Sequence, residues 1–143
     1  MTPPIRPIVL SALLVAGCVV AAMAAIPPAQ QTVLAQYAAL AKASDAGFKG
    51  FSAARGKAFF LAKQTGGNPD TPSCSSCHTT DPTKAGHTRA SLAILPMAVS
   101  ANPDRFADPA KVEKWFRRNC DTVLGRACTP VEKGDFITFL AGQ

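Results

Sequence analysis

Cys74-Ser75-Ser76-Cys77-His78 constrains this chain more than any other stretch. It reads C-x-x-C-H, the spacing for covalent attachment of a c-type haem. The two thiols add across the vinyl groups as thioethers, and the adjacent histidine faces the iron as proximal ligand. A chain that carries such a plate must wrap it in apolar side chains and settle what sits on its other face. It then handles electrons, a small gas, or both. Three rival readings are weaker. A thioredoxin-like C-x-x-C needs a βαβ context that the sequence lacks. A zinc site built from Cys74, Cys77, His78 and His87 is strained by the adjacency of Cys77 and His78. A plain Cys74–Cys77 disulfide leaves His78 unexplained.

The five cysteines fit the haem reading once export is considered. Residues 1–24 read as a secretory signal peptide, with Arg6 ahead of an apolar run from Pro7 to Val20 and Ala22-Met23-Ala24 as the cleavage site. The competing reading is a lipoprotein box at Val15-Ala16-Gly17-Cys18, with Cys18 lipidated. Either route leads to the periplasm. Of the four cysteines left, Cys74 and Cys77 go to haem. Cys120 and Cys128 are expected to pair as a disulfide in an oxidising compartment. Without Arg6, the 15 Lys and Arg fall to 14 against 9 Asp and Glu, a net +5 before the haem propionates are counted. The basic residues are scattered without aromatic interleaving, so nothing points to nucleic acid. Steering towards an acidic partner and simple solubility explain the charge equally well.

Residues 25–143 read as one all-α domain. Helices are expected over Gln31 to Ala43, over 52–64 with Ser52 as N-cap, over 109–119 behind Asp108-Pro109, and over 130–141 behind a Thr129/Glu132 capping box. Residues 66–73 form a loop, and Leu92 to Val99, interrupted by Pro96, an irregular wall of the haem pocket. No strand alternation is convincing. Small domains bury little surface by themselves. Haem would add an apolar plate for Phe59, Phe60, Trp115, Phe116 and Phe139.

Three residues compete for the distal side of the iron. Met97 would give the His/Met pair of electron carriers. His87 would give a bis-histidine site, but only nine residues separate it from His78. Asn119 closes the expected Trp115 helix. It lies 41 residues after His78 and 24 before the last residue, nearer to where small cytochromes place their distal ligand than Met97, 19 residues after His78.

The stretch Ala54-Arg55-Gly56-Lys57-Ala58-Phe59-Phe60, followed by Cys74 to Asp81-Pro82, resembles the start of a class I cytochrome c. Asn102-Pro103-Asp104-Arg105-Phe106, then Glu113-Lys114-Trp115-Phe116-Arg117-Arg118-Asn119-Cys120, Leu124-Gly125-Arg126 and Cys128, resembles the sphaeroides-type haem protein family of oxygen-binding monohaem cytochromes c. The likeness spans roughly residues 31–141 and is poorest between His87 and Asn102. It implies a class I-like haem domain with an extra N-terminal helix, one covalent haem c held by Cys74, Cys77 and His78, Asn119 as displaceable distal ligand, and a Cys120–Cys128 disulfide. It implies O2, NO or CO as iron ligands, and a dihaem cytochrome c or a membrane cytochrome b as electron donor. The expected function is electron transfer coupled to redox-gated binding of a diatomic gas. The alternatives are a plain electron carrier ligated by Met97 and a haem enzyme, such as a peroxidase or an NO-consuming oxygenase. An enzyme needs a distal proton donor, for which His87 is the one candidate titrating near neutral pH. Arg117 and Arg118 are candidates for a propionate contact or for a partner's acidic patch, and solvated charge at a helix C-terminus is the favoured explanation for at least one of them.

Overall fold

The computed structural model describes residues 25–143, so the export readings on residues 1–24 lie outside it. Five helices and one short ladder follow in order: α1 (Pro28–Ser44), α2 (Ala53–Leu61), α3 (Ser75–His78), β1 (Gly86–His87), β2 (Ala93–Ile94), α4 (Pro109–Leu124) and α5 (Pro130–Ala141). β1 and β2 pair antiparallel, Gly86 with Ile94 and His87 with Ala93. That two-residue ladder, not anticipated from the sequence, pins a loop and leaves the class all-α.

The caps read from the sequence are made. The Ser52 hydroxyl accepts the Arg55 N–H at 3.2 Å, and Asp108 accepts the Lys111 N–H at 3.1 Å ahead of Pro109. Thr129 and Glu132 form the reciprocal capping box. The far ends of the helices differ from expectation. α2 stops at Leu61 rather than 64 because Ala62 turns extended and the Gln64 N–H is drawn to the Pro72 carbonyl at 2.7 Å. α4 continues five residues past Asn119 to Leu124, where Gly125 supplies the left-handed φ of 68° that ends it. Asn119 is therefore an interior residue of α4, not its last one, and Arg117 and Arg118 lie well before its final turn.

Helix α1 buries Gln30, Val33, Leu34, Tyr37 and Ala41. Leu40, expected on the same stripe, lies about a quarter-turn off its centre and is exposed. α5 crosses α2 and α1, and its residues Ile137 and Leu140 are fully buried. Gly56 allows the α2 crossing, since a side chain there would strike the Asp135 carbonyl. Phe136 is the hub of the aromatic core, with ring centroids 5.4 Å from Phe116, 5.9 Å from Phe60, 6.1 Å from Phe106 and 6.4 Å from Phe59. The edge-on pairs with Phe116, Phe106 and Phe59 add roughly 0.5–1.5 kcal/mol each beyond their buried area. On the opposite flank, the Tyr37 hydroxyl donates to Glu113 at 2.9 Å and the Lys133 ammonium donates to the same carboxylate at 2.8 Å. α1, α4 and α5 are joined there.

Among the described residues, no helix is long and apolar enough to cross a membrane.

Candidate haem-binding site

The chain enters the C-x-x-C-H segment from a loop tied to α4, where the Asn68 N–H meets the Thr122 carbonyl at 2.7 Å. The motif itself is the single turn α3. His78 N–H bonds the Cys74 carbonyl at 3.1 Å, which puts Cys74, Cys77 and His78 on one short arc. The residues between the cysteines are more than spacers. Ser76 Oγ accepts the Ser73 N–H at 3.1 Å, and Ser73 Oγ lies 2.9 Å from Ser75 Oγ and 3.0 Å from Ser76 Oγ. This hydroxyl cluster satisfies the Ser73 N–H just ahead of the turn. The chain leaves the motif through Thr79 at φ 60°, a region disfavoured for a β-branched residue. Two other non-glycine residues share a positive φ, Ser91 and Phe106. Such outliers cost on the order of 1–3 kcal/mol each and persist where their surroundings over-determine them. Gly86 in β1 lies directly on the Cys77–His78 backbone, leaving no room for a Cβ.

Cys74, Cys77 and His78 open onto a cavity of about 730 Å³. That size falls within the range of roughly 300–1,000 Å³ typical of cofactor and ligand pockets. α4 contributes Val112, Trp115, Phe116, Arg118 and Asn119 to its lining, and the 94–106 segment contributes Ile94, Met97, Arg105 and Phe106. Of the aromatics expected against haem, Phe59, Trp115 and Phe116 line the cavity. Phe60 and Phe139 form the core behind it, while Phe106 and Phe136 complete the lining. Sequence periodicity could not sort these, because it reports which face is buried and not what the face is buried against. Trp115 keeps 43% of its surface exposed at the mouth, under the Arg118 guanidinium 5.3 Å from its ring centroid.

The expected iron ligands distribute unevenly. His78 and Asn119 both line the cavity, from segments 41 residues apart. Met97 lines it too and is buried, its N–H held by the Pro82 carbonyl at 2.9 Å. His87 is exposed in β1 and is not part of the lining. Arg118 lines the cavity, whereas Arg117 does not. α4 also carries the Cys120–Cys128 disulfide, whose Cα atoms are 5.6 Å apart, immediately after Asn119.

The residues fit a covalently attached haem. The cavity is largely apolar, with two thiols and an imidazole at one place on its wall. Burial, reinforced by the Arg105 charge, pushes the His78 pKa down to about 4, so the ring is neutral and able to ligate at ordinary pH. Burial also pushes the Cys74 thiol up to about 11. Two buried polar atoms on the wall, Thr71 Oγ1 and His78 Nδ1, have no partner within the protein. The zinc reading finds no support in the geometry: among the described residues, no three His, Cys, Asp or Glu side chains converge to hold a bare ion.

The family model described as "Domain of unknown function (DUF1924)" matches residues 46–140. The cytochrome c-type protein SHP of Cereibacter sphaeroides is 59% identical over 91 residues, which cover 64% of this chain and 70% of that protein. Cytochrome c'' of Methylophilus methylotrophus is 33% identical over 120 residues, 83% of each chain. Among solved structures, oxidised SHP, described as an oxygen-binding cytochrome c, superposes with a TM-score of 0.74 at 51% identity, covering 80% of this chain and 96% of that one. Crystalline oxidised cytochrome c'' gives 0.69 at 32% identity, covering 78% and 92%.

Proposed function

This chain belongs to the SHP family of monohaem c-type cytochromes, and on that premise we propose that it binds O2 or a similar diatomic gas at its haem when reduced. Bound haem c would supply a redox-active iron with a position for a small ligand. Cys74 and Cys77 fix the plate, and His78 is its proximal ligand. Asn119 is the displaceable ligand on the distal side. Its carboxamide is a neutral, weak donor compared with imidazole or thioether. A donor of that strength would favour the more highly charged ferric state and would loosen when one unit of that charge is removed. The observation that carries this reading is that His78 and Asn119 line one cavity.

Electrons come from another periplasmic redox protein, a dihaem cytochrome c or a membrane cytochrome b. Residues 1–24 act as the export signal. No catalytic turnover is assigned, since His87 stands outside the cavity lining and supplies no distal proton there.

The test is the absorption spectrum of the reduced holoprotein with and without CO. Asn119 ligation predicts a high-spin ferrous state that takes up CO readily. The buried, cavity-lining Met97 supports a second reading, a closed His/Met electron carrier. A far-red methionine-to-iron band in the ferric spectrum, with a ferrous state inert to CO, establishes Met97 and removes the gas-binding reading.

A further inference from the structure

Arg105 is the one cavity-lining cation that the fold has both enclosed and left without a carboxylate. It is partly buried, and none of the ion pairs among the described residues includes it. Asp104 and Asp108 line the same cavity, yet neither pairs with it, and Asp108 is committed to capping α4. The exposed Arg89, by contrast, pairs with Asp70 at 3.1 Å. Burying a charge without a counter-ion is expensive, and enclosed charges in folded proteins are paired.

The enclosure is built. Arg105 Nε donates to the Pro96 carbonyl at 2.9 Å and Nη2 to the Leu95 carbonyl at 2.6 Å, fixing the guanidinium plane. Its own carbonyl is gripped by the Gln30 side chain at 2.6 Å, and Gln30 Nε2 also holds the Pro103 carbonyl at 2.9 Å. Gln30 is 99% buried, so the N-terminal helix spends an interior polar residue on this loop. The next residue, Phe106, adopts a left-handed φ of 61° and packs on Phe136. Two carbonyls occupy the Nε and Nη2 side of the fork, which leaves Nη1 without a hydrogen bond. A guanidinium matches a carboxylate in geometry and charge.

We propose that Arg105 is the counter-ion of a haem propionate, held ready by Gln30 and the Leu95–Pro96 carbonyls. This rests on haem attachment at Cys74 and Cys77 but not on Asn119 ligation. It displaces the expectation that the exposed Arg117 or Arg118 plays that part. Arg105 is a positioning residue: it sets the plate's orientation and raises the cost of ferric charge beside it.

The experiment uses holoprotein variants Arg105→Gln, Arg105→Lys and, as control, Arg118→Gln. The readouts are the midpoint potential and the propionate bending band in the resonance Raman spectrum. In Arg105→Gln the band should shift towards weaker hydrogen bonding. The potential should fall by an amount equivalent to roughly a tenfold change in the ferric/ferrous equilibrium, as loss of a partly buried charge implies. Arg105→Lys should shift the band while keeping the potential near wild type, and it decides the matter if the glutamine variant does not accumulate. An unmoved band in either Arg105 variant, or an equal effect of Arg118→Gln, overturns the proposal. Loss of haem reading shows separately, as a wild-type protein without a covalently bound chromophore. Loss of the gas-binding reading shows only in the CO spectrum.

Discussion

Asp135→Ala should destabilise the holoprotein by about 1–4 kcal/mol, and most of that should come from a single backbone amide. Asp135 is the buried end of an ion pair whose other end is wet: its side chain is 5% exposed and that of Arg55 is 56% exposed. The carboxylate accepts three hydrogen bonds, from Arg55 Nε at 2.6 Å, Arg55 Nη2 at 2.9 Å and the Ser52 N–H at 2.6 Å. On truncation the guanidinium returns to water, so that part costs only ~0–1 kcal/mol, as for a surface pair. The Ser52 N–H has no such escape. It sits at the entry to α2, facing α5, and an orphaned enclosed donor costs about 1–3 kcal/mol. Asp135→Asn keeps an acceptor for that N–H and should lose only the pair with Arg55, about 0–1 kcal/mol. Urea unfolding followed by far-ultraviolet circular dichroism at pH 7 measures both, with an unchanged slope showing that the unfolded state is the same. If alanine and asparagine cost the same, or alanine costs under about 0.5 kcal/mol, the apportionment to the Ser52 amide is wrong.

Gly86→Ala should lower stability by about 1–3 kcal/mol and perturb the haem spectrum, because a Cβ there strikes the Cys77 carbonyl and the His78 backbone. An unchanged spectrum with unchanged stability would show that β1 has slack against the motif. Asn119→Ala should open the ferric site to added azide or imidazole, whereas an unaltered ferric spectrum would show that Asn119 is not a ligand. Burial raises the Glu113 pKa, but hydrogen bonds from Lys133 and Tyr37 outweigh it and hold the carboxyl below its usual range. The folded value is depressed, so its contribution is complete above the unfolded value of about 4.3 and lost as pH falls below it. The stability gap between wild type and Glu113→Gln, expected to be ~1 kcal/mol or less because the carboxylate end of the pair is exposed, should therefore close between pH 5 and pH 3. A gap constant across that range contradicts this.

What was legible in the sequence was whatever is decided locally. The capping side chains of Ser52, Asp108 and Thr129 act within three residues, so their signals survive without knowledge of the fold. The attachment motif is likewise local. Helix ends were misread where a distant partner decides them. The α2 terminus depends on the Pro72 carbonyl, and the long final stretch of α4 is supported by the 66–68 loop crossing its last carbonyls. The helix expected to close at Asn119 carries Cys120 within it. Arg105 was visible only as part of a resemblance. Its significance lies in the carboxylates that do not reach it, which is a property of three-dimensional arrangement. Gln30 was invisible for the same reason: a polar residue at a buried position reads as surface until the two carbonyls it binds are brought alongside.

The interior placement of Asn119 changes where any gating must reside. Had it been the last residue of a helix, loss of its bond to iron could propagate as fraying of that end. Five more helical residues follow it, and that stretch is held three ways. The Cys120–Cys128 disulfide ties it to the start of α5, the Asn68 N–H grips the Thr122 carbonyl, and Gly66 packs against the Leu124 carbonyl. Fraying a last turn costs little, but shifting this one would break the Asn68–Thr122 bond and the packing of the buried Val123 and Leu124 together. A weak carboxamide bond to iron, as proposed, would have no comparable energy with which to drive such a shift. If Asn119 is the ligand proposed above, its release would be a rotation about its two side-chain torsions, with α4 stationary. Such a motion would fall in the nanosecond range of exposed rotamers and, on that proposal, would leave the residue within reach of the iron as a competitor for any gas bound there.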